Sequence, residues 1–68
     1  MNGRPIEVGD RFQERDSRNA GRIVEVREVD DHVALVQNEV HPNNPTAVGR
    51  HSHVSFATLY SRFTRVSR

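Results

Sequence analysis

The sequence predicts an all-β fold, a small five-stranded barrel, from three observations. Residues 8 to 26 read Val-Gly-Asp-Arg-Phe-Gln-Glu-Arg-Asp-Ser-Arg-Asn-Ala-Gly-Arg-Ile-Val-Glu-Val, so a Gly-Asp turn starts a short strand, a polar loop follows, and Gly21 introduces a β-branched run. Later apolar residues recur mostly with a period of two, in runs too short for an ordinary helix. Pro, Asn and Gly gather between the runs and mark turns and long connections.

In chain order, residues 1 to 5 read as a frayed lead, and Val8-Gly9-Asp10 as the turn that delivers strand one, Arg11 to Glu14, with Phe12 facing the core. Glu14 to Ala20 has Ala20 as its one apolar side chain and reads as a loop. Strand two runs from about Arg22 to Val29, with Val24 and Val26 on one face and Glu25 and Arg27 on the other. Val29 is out of phase with that pair, which predicts a bulge near Arg27-Glu28 or strong coiling. Asp30-Asp31 turns the chain into strand three, His32 to Asn38, apolar on both faces and therefore central. Glu39 to Gly49, with Pro42, Asn43, Asn44 and Pro45, reads as an exposed loop of about ten residues. Strand four is Arg50 to Phe56, residues 56 to 61 fit one 3₁₀ turn, and strand five is Phe63 to Val66 before a frayed end. Five short strands, a 3₁₀ turn before the last, and long second and fourth connections add up to an SH3-like barrel. Its predicted core is Phe12, Val24, Val26, Val36, Val54, Phe56, Leu59 and Val66.

Composition narrows what such a barrel does. The 68 residues predict one domain, which buries only about 60% of its unfolded surface. No cysteine is present, so no disulfide or thiolate cage forms. The longest apolar stretch, Val33 to Val36, is far below the run of about 20 that spans a bilayer. Met1 to Pro5 carries no apolar signal segment, so a soluble cytoplasmic protein without membrane contact is expected. Net charge is +1 but uneven. All nine carboxylates lie between Glu7 and Glu39, whereas Val40 to Arg68 holds four arginines, three histidines and no acid. That asymmetry points to a polyanionic partner, unless folding mixes the halves and cancels it. All ten Lys/Arg positions are arginine, which reflects either GC-rich codons or a use for the bidentate guanidinium fork.

Val8-Gly9-Asp10, Arg18, Ala20-Gly21-Arg22 and Val24-Glu25-Val26 resemble the KOW-type SH3-like barrels of ribosomal proteins and transcription elongation factors. In those domains a Gly-Asp opens the first strand and a basic loop ends in the glycine that enters the second. Val33 to Glu39 looks like their third strand with its terminal asparagine, Asn38. The chain is also similar to small uncharacterised proteins of actinobacteria and their phages that share a Gly-Asp, Arg-Asp, Ala-Gly-Arg pattern. The resemblance covers Ile6 to about Asn38. It departs from RNA-binding KOW loops, which are lysine-rich, because Glu14 and Asp16 here dilute Arg15 and Arg18.

The residues offer three chemistries. His51 and His53, two apart on a strand, share a face, as zinc ligands do, but a closed site needs four ligands and only His32, His41 or a carboxylate could add to them. Serines and threonines accompany the four histidines without a Gly-x-Ser-x-Gly elbow or an oxyanion-type glycine cluster, so catalysis is not expected. The third is a basic face: Arg50, His51, His53, Arg62, Arg65 and Arg68 fall on strands four and five or their connection, expected to adjoin, and Arg15, Arg18 and Arg22 come from the first long loop and its exit. The expectation is a non-enzymatic module, without metal or cofactor, that contacts nucleic acid or a nucleoprotein complex through phosphate. The alternative is a protein-interaction module, a phage or host factor or a self-associating domain, that uses exposed strand edges. A metal-dependent enzyme centred on His51 and His53 is the distant third. Gly21 either turns the loop with φ > 0 or lets a partner's backbone approach.

Overall fold

The computed structural model describes residues 5–67, so the lead Met1 to Arg4 and the terminal Arg68 lie outside the described residues. Two valines two residues apart set the frame. Val24 and Val26 are fully buried on one face of β2 (Ile23–Val29), and β2 pairs on one side with β1 (Arg11–Glu14) and on the other with β3 (Val33–Val40). The β2–β3 turn closes through the Asp30 amide on the Val33 carbonyl (2.8 Å) and the Asp31 amide on the Asp30 carboxylate (2.7 Å). Val26 stands opposite Val36 but Glu28 opposite Leu35, so Arg27 is an extra residue on β2. This is the bulge that the phase of Val29 predicts. A second shift between Ile23 and Val24 leaves Glu39 as the extra residue on β3.

β4 (His51–Ser55) adds to β3 with an unbroken register from Val33↔Ser55 to Gln37↔His51. β5 (Phe63–Ser67) returns to the far side of β1, and the sheet order is β4-β3-β2-β1-β5. The fold is thus mostly β, five antiparallel strands in a curled half-barrel whose edges are β4 and β5. Between those edges lies α1 (Phe56–Arg62), a seven-residue α-helix and not the expected 3₁₀ turn. Ser55 caps it by accepting a hydrogen bond from the Thr58 amide (3.1 Å), and Leu59 anchors it in the core. Burial of Leu59, with the cap, stabilises a helix too short to persist alone. The 3₁₀ turns occur instead in the two long loops, at Ser17–Asn19 and Pro45–Ala47.

The concave face buries Ile6, Phe12, Val24, Val26, Ala34, Val36, Leu59 and Phe63, with Val54 and Phe56 packed against them. Val66, an expected core residue, is 45% exposed. Phe12 faces Arg65 while Arg11 faces Ser67, so Val66 is the bulged residue of β5. It is also three positions from the buried Phe63 and cannot share its face in a strand. β3 continues through Glu39 and Val40, where a loop was expected, because Val40 pairs with Ile23 across the Glu39 bulge. Ala47, in the loop expected to be exposed, is buried.

Three buried polar side chains fasten loops to this sheet. Asp10 is fully buried, accepts from the Glu7 amide (2.9 Å) and pairs with Arg65. Glu14 pairs with Arg22 (3.0 Å). Asn38 accepts from Arg22 Nε (2.9 Å) and donates to the Ala47 carbonyl (3.0 Å). Gly21 has φ +88°, as expected, and a Cβ there would stand 3.1 Å from Pro42 Cγ. The glycine therefore serves both the turn and the close approach of the third-to-fourth-strand loop.

Candidate nucleic-acid interface

Of the nine basic residues expected to form one face, Arg68 lies outside the described residues and the other eight separate into three groups. Arg22 and Arg65 turn inward. Arg22 holds Glu14 and Asn38 and lies 5.9 Å from the centre of the Phe63 ring. Arg65 holds Asp10 and lies 5.1 Å from the centre of the Phe12 ring. Both are mostly buried, and their charge is spent on carboxylates and aromatic faces inside the fold.

Arg50, His51 and His53 are exposed at β4 and its entry. The expectation that they adjoin Arg62 and Arg65 fails, because β4 and β5 are opposite edges of the sheet. β5 pairs with β1 and β4 with β3, and no ladder joins β4 to β5. His51 and His53 do share a face, opposite Gln37 and Leu35. His32 and His41 flank the two ends of β3, about 30 Å apart at the rise of a strand, so they cannot both complete a site there. Among the described residues no group of three or more His, Cys, Asp or Glu side chains is placed to hold a metal ion.

The third group is Arg15, Arg18 and Arg62, which converge where the loop after β1 meets the end of α1. Asp16 caps the Ser17–Asn19 turn by accepting from the Arg18 amide (2.9 Å), and its carboxylate then takes both the Arg18 guanidinium (2.9 Å) and Arg62 (2.9 Å). The Arg18 side chain, followed by its amide and Arg62, holds the Asp16 carboxyl well below the usual carboxylate range, and Asp16 in turn raises Arg18. Arg15 donates to the carbonyls of Tyr60 (3.3 Å) and Ser61. These lie at the C-terminal end of α1, where the helix dipole favours a cation. Two guanidiniums thus hold one carboxylate, with Arg18 80% exposed and Arg62 half exposed, and Arg15 is fixed to the end of the helix that carries Arg62.

Beside this cluster opens a groove of about 410 Å³ between α1, β1 and β5, lined by Phe12, Leu59 and Phe63 and by Arg15, Tyr60, Thr64 and Arg65. From the sequence, Tyr60 is the one aromatic side chain the core does not need, yet a lone aromatic supports stacking only weakly, and Tyr60 is not among the expected site residues. The signal was present: in a helix, the residue after buried Leu59 points about 100° away from it, which leaves Tyr60 46% exposed. Reading 56 to 61 as a 3₁₀ turn hid that geometry.

Folding also cancels much of the charge asymmetry between the halves. Arg62 and Arg65 meet Asp16 and Asp10, carboxylates from the first loop and turn. No helix among the described residues is long and apolar enough to cross a membrane. No family model, curated protein or solved structure matches the chain, so its functional reading rests on this geometry.

Proposed function

We propose that this chain is a KOW-type SH3-like barrel acting as a non-enzymatic module that contacts nucleic-acid phosphates through Arg15, Arg18 and Arg62. The strand order β4-β3-β2-β1-β5, with a short helix before the last strand, supports the barrel type. The observation that carries the function is the excess of guanidinium over carboxylate at an exposed loop tip. Guanidinium forks bind phosphate bidentately, and Asp16 and the α1 carbonyls hold them in place before a ligand arrives. Arg22 and Arg65 hold the scaffold, and Arg50, His51 and His53 form a separate basic edge.

Titration of the protein with random duplex and with single strands at rising salt tests this reading. Neutralising two phosphates gives a slope of log K against log salt of about −2. Arg62→Ala weakens all sequences about equally and lowers the slope by about one. Absence of binding at low salt overturns the reading. A second reading, a self-associating interaction module, is supported by β4, an edge strand with no bulge and no proline. Sedimentation that gives dimers insensitive to salt would favour it.

A further inference from the structure

Resting on the phosphate-binding reading above, we infer that the groove between α1, β1 and β5 seats an unpaired nucleobase against Tyr60, which makes single-stranded nucleic acid the ligand class of this site. Phosphate contact alone needs no cavity, yet the arginine cluster borders one of about 410 Å³, the size range of small-molecule sites. Beneath it lie Phe12, Leu59 and Phe63, almost wholly buried, and its rim carries Tyr60, Thr64 and Arg15. Phe12 and Phe63 are buried and Phe56 is largely so, which leaves Tyr60 as the aromatic side chain presented to a ligand. Arg15 belongs to both features: it lines the groove and is fixed to the Tyr60 and Ser61 carbonyls. A phosphate on Arg15 therefore brings its own nucleotide to the face of Tyr60. The exposed Thr64 can donate to or accept from a base edge through its hydroxyl, which gives the groove a polar contact near Tyr60. In a duplex the base faces are covered by their neighbours, so only an unpaired or flipped base can enter.

Tyr60 is the single tyrosine and the chain has no tryptophan, so tyrosine emission reports on this position alone. The test compares a short oligothymidylate, an abasic strand of the same length and a duplex of the same length, at low salt, with emission and affinity read together. The expected result is quenching by oligothymidylate and an affinity on the order of tenfold above that for the abasic strand. Tyr60→Phe keeps the difference between the strands and Tyr60→Ala erases it, with far-UV circular dichroism verifying that both variants fold. If all three probes bind alike and emission is unchanged, the base groove is overturned while the phosphate site stands. If none binds, the phosphate reading falls and this inference with it.

Discussion

Arg65 with Asp10 and Arg18 with Asp16 are the same chemical pair in two environments. Asp10 is fully buried, and Arg65 is covered by the Phe12 ring and the β1–β5 ladder. Asp16 sits on a loop, and its Arg18 partner is 80% exposed. Inside the fold, both charges are largely shielded from water, so removal of one takes away compensation that solvent does not replace. On the loop, water and salt replace whatever is lost, so the pair contributes little to stability and its arginine stays available to a ligand. Burial, and not residue type, divides the scaffold arginines from the interface arginines.

The largest expected effect breaks the buried side of that comparison. Arg65→Ala removes a guanidinium from the fully buried Asp10 and destabilises by about 3–5 kcal/mol, a large share of a small domain's stability, read from urea or thermal unfolding. A loss under about 1 kcal/mol would place Arg65 among the interface arginines after all. Next is Val26→Ala, which opens a void in the fully buried centre of the sheet and costs about 1–3 kcal/mol by the same measurement. Gly21→Ala costs about 1 kcal/mol or more, because φ +88° disfavours a side chain and the new Cβ crowds Pro42 Cγ. An unchanged melting temperature would show that the two loops separate easily.

The smaller effects sharpen the exposed side. Arg18→Ala leaves the melting temperature nearly unchanged while it weakens phosphate binding and lowers the salt slope. Asp16→Asn acts in the opposite direction, since removal of the carboxylate that Arg18 and Arg62 share steepens the slope by about one. Asp16 also sets a pH signature. Its folded-state pKa lies below the unfolded value, so its contribution is complete above the ordinary carboxylate range and disappears only as pH falls through the depressed folded value. Unfolding followed between pH 7 and 5 is therefore unaffected by Asp16→Asn beyond a constant offset. A difference that grew within that window would mean another group had been perturbed.

Strand placement was legible because side-chain alternation is a local signal. The strand containing Val24 and Val26, the bulge that Val29 betrays and the left-handed Gly21 all follow from neighbours in sequence. The helix Phe56–Arg62 was not legible. A seven-residue segment has no intrinsic stability to advertise, and it forms because Leu59 finds a core and Ser55 a free amide. The candidate site was half legible: the loop arginines were found, and Tyr60 was hidden by the missed helix.

The sequence by itself determined the mostly β character, five strands, their approximate limits, the polar loop with Arg15 and Arg18 and the conformational demand at Gly21. Only the tertiary structure decided which arginines remain for a partner. Arg65 meets Asp10 across 55 residues and Arg62 meets Asp16 across 46, contacts that exist because β5 returns to β1. The same return places β4 at the opposite edge and parts Arg50, His51 and His53 from the rest. Periodicity is written in adjacent residues, whereas charge pairing depends on distances that exist only once the sheet has closed on its core.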